Sequence, residues 1–435
     1  MMCKKIKAVG AVALLLLLIS IVFTACTGET KPPKPTEPSE YSTAVTESES
    51  TSATSATVGA DGIISTCFLI GNTRNVQSPN QSLISEQLWA LSENKEAFSV
   101  VVLDGKPDAS SYSADVKLPF RFFGKSANDQ AVIAKLTKNI LNVMPKEDEI
   151  DILKGLASGA KAFSKSAEEK ELIVFSSGIS TEGVLNFAEH PDWIEKKPSE
   201  IVDMLDQTKS LPDLSDVHIT WYGFGDVEGA QKELSDFNYY RLKNIWKAIL
   251  EASGVRDAAS VFDDMLAIED ESAEAPKEYP PVTPVDFPEM IVIDEKDIGF
   301  VRDSANFSDE QKAIDALEYY AQCINDIGHT FYIVGTTATA DTIENCFLCS
   351  QERADAVKKI LCESYNVPEA LLQTYALGQI NLGGEYAWRY ADLDGNNKLI
   401  PDIAQKNRRV MLIDATSETG QKFLQDWTSG DIAKS

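Results

Sequence analysis

The C-terminal part of the chain contains the stretch that decides its fold, TFYIVGTTATADTIENCFLCSQERADAVKKILCE, residues 330–363. The apolar run Thr330–Val334 predicts a strand, and Gly335 opens a polar loop. From Ser350 to Glu363 the apolar side chains recur at helical spacing, so the helix is expected to bury one face. A strand, a loop and an amphipathic helix in this order predict an α/β unit.

The flanking sequence continues this alternation. Residues 298–307 have the pattern of a strand and its exit, and an amphipathic helix follows them. Apolar runs near 373–377 and 407–413 predict two more strands. The resulting β-α-β-α-β order predicts a two-layer α/β domain over residues 289–418, with residues 419–435 as a C-terminal tail.

Three phrases in this domain resemble the peptidoglycan-binding OmpA-like family, which includes the corresponding domain of the flagellar stator protein MotB. Ser304-Ala-Asn-Phe307 resembles the family's first strand-to-helix phrase. Ser350-Gln-Glu-Arg-Ala354 followed by Val357 matches its S-x-x-R-A-x-x-V helix, and Asn407-Arg-Arg-Val410 matches its N-R-R-V strand. The resemblance covers roughly residues 290–415 and implies the family's fold and its binding to the cell wall.

In that family a pocket holds the diaminopimelate of the peptidoglycan stem peptide, an amino acid with an ammonium and a carboxylate. The resemblance implies that Arg353 faces the carboxylate, because a planar guanidinium pairs bidentately with it. Asn407, Arg408 and Arg409 are further predicted contacts. The alternative for Arg353 is a surface position on its helix, where the stem covers apolar area.

The ammonium side of the predicted pocket departs from the family pattern. The family's G-H-T-D loop here has the sequence Gly335-Thr-Thr-Ala338, so alanine replaces the expected aspartate. Asp341 lies three residues further on and would substitute if the loop folds differently, and Thr337 is another predicted contact. Without a nearby acid, the ammonium loses a charge-assisted hydrogen bond of about 1.5 to 3 kcal/mol.

The preceding residues 59–268 also alternate strand-like and helix-like runs. The strand-like runs are 63–70, 98–103, 116–123, 171–175 and 218–222. Pro119 lies in the third run, which predicts an antiparallel strand at the edge of the sheet. Apolar strands that alternate with amphipathic helices predict a mostly parallel sheet covered on both sides.

The order of these elements resembles a von Willebrand factor type A domain, which implies a Rossmann-like, doubly wound sheet. That family holds a metal through carboxylate and hydroxyl oxygens. Here the first loop, Gly71-Asn-Thr-Arg-Asn75, has no carboxylate, and Ile150 and Ser177 stand at the other two ligand positions. We therefore expect no metal. The side chains of Asn72 and Thr73, with that of Asn75, form either a contact patch at the carboxyl edge of the sheet or a self-capped turn.

The N-terminus predicts export. Lysines precede an uncharged run from Ala8 to Phe23, and the following Thr24-Ala-Cys26 resembles a lipobox, where the chain is cut and Cys26 is lipidated. Residues 1–25 are thus predicted to be a lipoprotein signal peptide, with an uncleaved anchor or a plain secretory signal as alternatives. The Ser/Thr/Glu/Pro-rich residues 26–58 predict a linker, and residues 269–288 an acidic, proline-rich spacer.

Composition restricts the function further. The chain has 67 acidic and 40 basic residues and a formal net charge of −27, so it should repel nucleic acid. The histidines stand in no nucleophile motif, and no phosphate-binding glycine loop occurs, so we predict neither an enzyme nor a cofactor. Cys67 is expected to be a buried thiol. Four cysteines of the C-terminal domain could pair as disulfides if the surroundings are oxidising: Cys323, Cys346, Cys349 and Cys362.

Two hypotheses about function remain. The first is an envelope lipoprotein, facing outside the cytoplasm, that contacts peptidoglycan through its C-terminal domain and another envelope protein through its first domain. The second is an interaction scaffold that keeps both folds but has lost both ancestral sites. Ala338 and Ser177, each in place of an expected acid, are the reason for the second hypothesis.

Overall fold

The structure is a computed structural model that describes residues 60–75, 79, 81–94, 96–108, 111–118, 126–258, 260–262, 279–340, 342–380 and 388–429. The predicted signal peptide, the lipidation site Cys26 and the Ser/Thr-rich linker lie outside the described residues, as does Asp341. None of the described helices combines the length and the apolar character needed to cross a membrane.

The first domain is built on a five-stranded sheet. Its strands are β1 (Ile64–Ile70), β2 (Ala97–Val102), β3 (Tyr112–Asp115), β4 (Glu171–Phe175) and β5 (His218–Tyr222), in the order β3-β2-β1-β4-β5. All neighbouring pairs are parallel except β2 and β3, which are antiparallel. An antiparallel edge strand is therefore present, but it precedes the predicted run 116–123. The side chain of Val116, which follows β3, is buried, and residues 119–125 lie outside the described part.

Helices cover both faces of this sheet. They are α1 (Gln81–Asn94), α2 (Ala127–Leu141), α3 (Ile152–Ala162), α4 (Pro198–Gln207) and α5 (Asp236–Ala252). Alternate residues of β1 point to opposite faces. Phe68 and Ile70 pack with α1 and α2, whereas Cys67 and Leu69 pack with α3, α4 and α5. Burial raises the pKa of the Cys67 thiol to about 12, so this cysteine behaves as a small apolar side chain.

The second domain contains a four-stranded mixed sheet. Its strands are β6 (Met290–Ile293), β7 (Phe331–Thr336), β8 (Leu372–Gly378) and β9 (Val410–Asp414), in the order β6-β9-β7-β8. The helices are α6 (Glu310–Ile327), α7 (Ile343–Tyr365), the short α8 (Pro401–Lys406) and α9 (Glu418–Ser429). α6 and α7 pack on one face of the sheet. The prediction of an α/β chain with two sheets is confirmed at this level, and the finer family assignments stay predictions.

Three local expectations in the second domain are wrong. Residues 298–307 form a loop with a single bridge between Phe300 and Phe307, and the first strand is β6. The predicted tail is largely the helix α9, whose Phe423 is fully buried against the second face of the sheet. The helix that contains Arg353 begins at Ile343, because Thr342 caps it by accepting a hydrogen bond from the Asn345 amide.

The described end of the predicted spacer, residues 279–288, also differs from its expectation. It forms no helix or strand, yet Val282, Val285 and Phe287 are buried in the core of the first domain. The proline content that predicts an extended conformation gives no information on whether that extended chain is solvated or packed. Here it is packed.

The two sheets belong to one compact unit and meet through α5 and α6. Phe237 of α5 inserts into the core of the second domain, where its ring meets that of Phe331 edge-on at a centroid separation of 5.0 Å. Lys232 forms ion pairs with Glu289 at 3.2 Å and with Glu418 at 2.9 Å. These contacts hold the C-terminal domain directly on the first.

Candidate functional site

The three phrases that carry the OmpA-like resemblance are linked to one another by contacts through α7 and the carboxyl end of β7. The helix α7 lies close to this strand because Gly335 has no side chain, and a Cβ there would collide with the backbone carbonyl of Ser350. The hydroxyl of Thr336 donates to the carbonyl of Asn407 at 2.6 Å, which joins β7 to the N-R-R-V phrase. Arg353 then reaches from α7 to the loop that contains Ser304.

The side chain of Arg353 is buried and does not lie on the outer face of its helix. Only 6% of the residue is exposed. Its Nε donates to the carbonyl oxygen of Ser304 at 3.0 Å, and its guanidinium carbon lies 4.9 Å from the centroid of the Phe300 ring. The alternative of a surface position is therefore wrong.

The two terminal nitrogens of Arg353 remain available. Neither Nη1 nor Nη2 donates a hydrogen bond to a residue in the described ranges, and the residue forms no ion pair there. These nitrogens also keep some contact with solvent, in contrast to Nε and Nη1 of Arg241, which are sealed and without a hydrogen-bond partner. A guanidinium held by Nε and by a ring face, with both Nη atoms open, has the geometry to accept a carboxylate.

The ammonium side is less complete. Ala338, at the position of the family's aspartate, is buried, and its carbonyl accepts a weak hydrogen bond from the Cys346 thiol at 3.8 Å. Thr337 is buried beside it, and its Oγ1 has no hydrogen-bond partner among the described residues. Asp341 lies outside the described residues, so its predicted role stays a prediction. The described loop thus supplies a hydroxyl and no carboxylate.

The side chains of the N-R-R-V phrase mainly make contacts inside the second domain. The side-chain amide of Asn407 donates to the Tyr390 carbonyl at 2.9 Å and accepts from the Tyr390 amide at 2.9 Å. Arg409 is buried, donates to the Trp388 carbonyl at 3.0 Å and lies over the Tyr390 ring. Arg408 is half-exposed and pairs with Glu295 at 3.6 Å. Asn407 and Arg409 therefore act as internal anchors, against their predicted role as ligand contacts.

A buried network that the sequence did not reveal fixes the loop containing Thr337. Arg389 pairs with Asp392 at 2.9 Å, with side-chain exposures of 0% and 1%. Arg389 Nε also donates to the Thr337 carbonyl at 2.9 Å, and Thr339 donates to Asp392 through its amide and its hydroxyl. Burial would raise the pKa of Asp392, but the hydrogen bonds from Thr339 and Asn407 and the charge of Arg389 hold it below its usual range.

The polar residues of the first domain's β1 loop are also used internally. Asn72 donates to the Val143 carbonyl at 2.8 Å, and Asn75 donates to the Val282 carbonyl at 3.0 Å. Thr73 is buried, and its hydroxyl has no described partner. Within the described ranges, no group of three His, Cys, Asp or Glu side chains is placed to hold a metal ion.

The five cysteines in the described part of the chain are thiols. Cys67, Cys323, Cys346, Cys349 and Cys362 are all free. Cys349 lies one turn before Arg353, and burial raises the pKa of its thiol, while the charge of Arg353 acts in the opposite direction. The pKa of this half-buried thiol therefore depends on the charge of Arg353.

No family model matches the chain, and no curated protein matches it. About a third of the chain is similar to solved cell-envelope structures. The periplasmic domain of Helicobacter pylori MotB (residues 78–256) is 15% identical, with 33% of this chain and 86% of that chain covered and a TM-score of 0.23. The peptidoglycan-associated lipoprotein from Burkholderia pseudomallei is 23% identical over 28% of this chain and 87% of that chain, with a TM-score of 0.20. The cell wall anchor of the T6SS from Pseudomonas aeruginosa is 16% identical over 29% of this chain and 79% of that chain, with a TM-score of 0.22.

Proposed function

We propose that this chain is a cell-envelope lipoprotein whose second domain binds peptidoglycan without a covalent bond. The observation that carries the proposal is that both terminal nitrogens of the Arg353 guanidinium, held between α7 and the loop of Ser304, have no hydrogen-bond partner among the described residues and are not sealed from solvent. A stem-peptide carboxylate, such as that of diaminopimelate, would receive two parallel hydrogen bonds from Nη1 and Nη2 or from one of them with water. The Thr337 hydroxyl is sealed from solvent, so the proposed acceptor for the ammonium is the carboxylate of Asp341.

The buried setting of Arg353 makes it a better carboxylate receptor than an exposed arginine. Nε is already bound to the Ser304 carbonyl, and the ring of Phe300 holds the plane of the guanidinium. Little side-chain entropy is therefore left to lose when a ligand binds. The low exposure also reduces screening by solvent, which strengthens a charge-assisted hydrogen bond.

The N-terminal segment and the first domain have separate roles in the proposed function. Lipid on Cys26 would attach the protein to a membrane, and the Ser/Thr/Glu/Pro-rich residues 26–58 would give the reach from membrane to wall. The first domain, a von Willebrand factor A-type domain in this proposal, would bind another envelope protein. Its sheet order β3-β2-β1-β4-β5 with an antiparallel β3 supports that assignment.

A sedimentation assay with purified peptidoglycan tests the wall-binding proposal. The variant is Arg353→Met, which keeps an unbranched apolar side chain on α7 and removes the guanidinium that lies over Phe300. We expect the wild-type soluble chain to sediment with peptidoglycan and the variant to bind at least about tenfold more weakly. The matched control is Lys359→Ala, which removes one positive charge from the exposed face of the same helix. A wild-type chain that stays in the supernatant, or equal binding by the variant, disproves the proposal.

A second candidate function, an interaction scaffold without glycan binding, has one specific observation in its favour. The family's acidic position is occupied by the buried Ala338, which offers no charge to an ammonium group. Cross-linking in the native envelope distinguishes the two functions. Cross-links to protein alone favour the scaffold, whereas cross-links to peptidoglycan that disappear with Arg353→Met favour wall binding.

A further inference from the structure

The carboxyl edge of the first sheet is already occupied by an extended segment of the same chain. Residues 279–288, Tyr-Pro-Pro-Val-Thr-Pro-Val-Asp-Phe-Pro, run across the loops that follow β1 and β5 without forming a strand. This is the edge at which open α/β sheets place their ligands. The segment is therefore in the position of a ligand, although it belongs to the protein.

Side chains of the first domain bind the backbone of this segment from three loops. The Gln231 amide donates to the carbonyl of Val285 at 2.8 Å and accepts from the amide of Val285 at 2.8 Å. Asn75 donates to the Val282 carbonyl at 3.0 Å, and the Glu149 carboxylate accepts from the Thr283 amide at 3.0 Å. Because these contacts are with peptide groups, they do not depend on which side chains the segment has.

Apolar side chains give the segment its specificity. Val282, Val285 and Phe287 are buried in the first domain, and the Phe287 ring meets that of Phe187 edge-on at 5.5 Å. Prolines at 280, 281, 284 and 288 favour the extended conformation, so that little conformational entropy is lost on docking. Backbone recognition by side-chain amides, combined with apolar sockets at fixed spacing, is a common mode of binding extended peptides.

We propose that this edge is a peptide-binding groove and that residues 279–288 are its displaceable internal occupant. The partner it fits is an extended, proline-containing segment of another protein, with aliphatic and aromatic residues at the spacing of Val282, Val285 and Phe287. The inference deepens the proposed protein-binding role of the first domain and rests on it. It does not involve Arg353, so it can fail while wall binding holds.

The test uses the full soluble chain with Val285→Asp, which places a charge in an apolar socket and should expel the segment. The probe is a fluorescently labelled synthetic peptide with the wild-type sequence 279–288, measured by anisotropy. We expect the variant to keep cooperative urea unfolding and to bind the peptide. The wild-type chain should bind it at least about tenfold more weakly, since its groove is occupied.

Matched variants test the geometry of binding. Gln231→Ala, added to Val285→Asp, should weaken peptide binding about tenfold because two hydrogen bonds to the peptide backbone are lost. A peptide that itself contains Asp at position 285 should not bind. A Val285→Asp chain that loses cooperative unfolding, or one that folds and binds no peptide, would show that the segment is part of the core and overturn the proposal.

Hydrogen exchange on the wild-type chain supplies a test without a substitution. The amides of Thr283 and Val285 donate to side-chain acceptors, whereas those of the central strand β4 belong to a two-sided ladder. If the segment leaves its groove in the folded protein, both amides should exchange at least tenfold faster than the β4 amides. Equal rates would mean that it leaves only on global unfolding, which contradicts a displaceable occupant.

Discussion

Removing the carboxylate of Asp392 should destabilise the second domain strongly. This side chain is 1% exposed, pairs with the fully buried Arg389, and accepts further hydrogen bonds from Thr339 and Asn407. Asp392→Ala leaves the Arg389 charge buried without its partner. Breaking such a pair typically costs about 3 to 5 kcal/mol, so we expect a loss of that size in the free energy of unfolding measured in urea.

A double-variant cycle separates the ion pair from general damage. With Arg389→Met as the second change, the double variant should lose clearly less than the sum of the two single losses, because no unpaired charge remains. Asp402→Ala, at an exposed position on α8, is the matched control and should change stability by less than about 1 kcal/mol. A loss below about 1 kcal/mol for Asp392→Ala, or additive single losses, would refute the network's structural role.

The same network predicts a pH dependence. Because the pKa of Asp392 is lowered on folding, its contribution is fully present above the unfolded value of about 3.9 and is lost as the pH falls through the folded pKa. The difference in stability between wild type and Asp392→Ala should therefore be constant from pH 5 to 7 and should shrink below about pH 4. A difference that grows in acid would contradict the sign of this shift.

Phe423→Ala should lower the free energy of unfolding in urea by about 3 to 5 kcal/mol, because the ring is fully buried. Leu424→Ala, at the exposed neighbouring position, should lower it by less than about 1 kcal/mol. Equal small losses would mean that residues 419–429 do not pack on the sheet, as a tail would not. Phe237→Ala should lower the free energy of unfolding by a similar amount, about 3 to 5 kcal/mol. Hydrogen exchange of the β7 amides should become faster, because Phe331 loses its ring contact. Unchanged exchange in β7 would argue against this contact between the domains. Arg353→Met should raise the pKa of the Cys349 thiol further and so slow its alkylation at pH 8. Mass spectrometry measures the rate, with the peptide that contains Cys362 as the internal control. An unchanged rate would mean that the Arg353 charge does not affect the thiol.

Periodicity and phrase matching predicted the elements that bury a regular apolar face. The apolar side chains that recur at helical spacing between Ser350 and Glu363 predict one buried face of α7, and Ala354, Val357, Ile360 and Leu361 are all buried there. The phrases of Ser304, Arg353 and Asn407 are far apart in sequence. In the structure the last two contact the carboxyl end of β7, and Arg353 donates to the Ser304 carbonyl. Local pattern sufficed for these features because each is set by a repeating face or by a fixed strand-to-helix transition.

Packing of irregular segments could not be predicted in this way. Residues 279–288 have the composition of a spacer, and their three buried side chains follow no helical or strand period. The role of Arg389 depends on Asp392 and on a loop more than 50 residues away in sequence, Thr337–Thr339. Arg389 and Asp392 are only three residues apart, but the contacts that fix the segment and the loop are long-range, and no window of local sequence contains both partners of those contacts.

The buried arginines show why the choice of a site needs geometry as well as sequence. Arg241, Arg353, Arg389 and Arg409 are all buried. Arg409 donates to the Trp388 carbonyl. Arg389 is neutralised by Asp392, so a ligand carboxylate would have to displace an existing partner. Arg241 has unpartnered nitrogens, but these are sealed from solvent between the two domains. Of these four, Arg353 combines a guanidinium held through Nε with two terminal nitrogens that have no hydrogen-bond partner among the described residues and are not sealed from solvent.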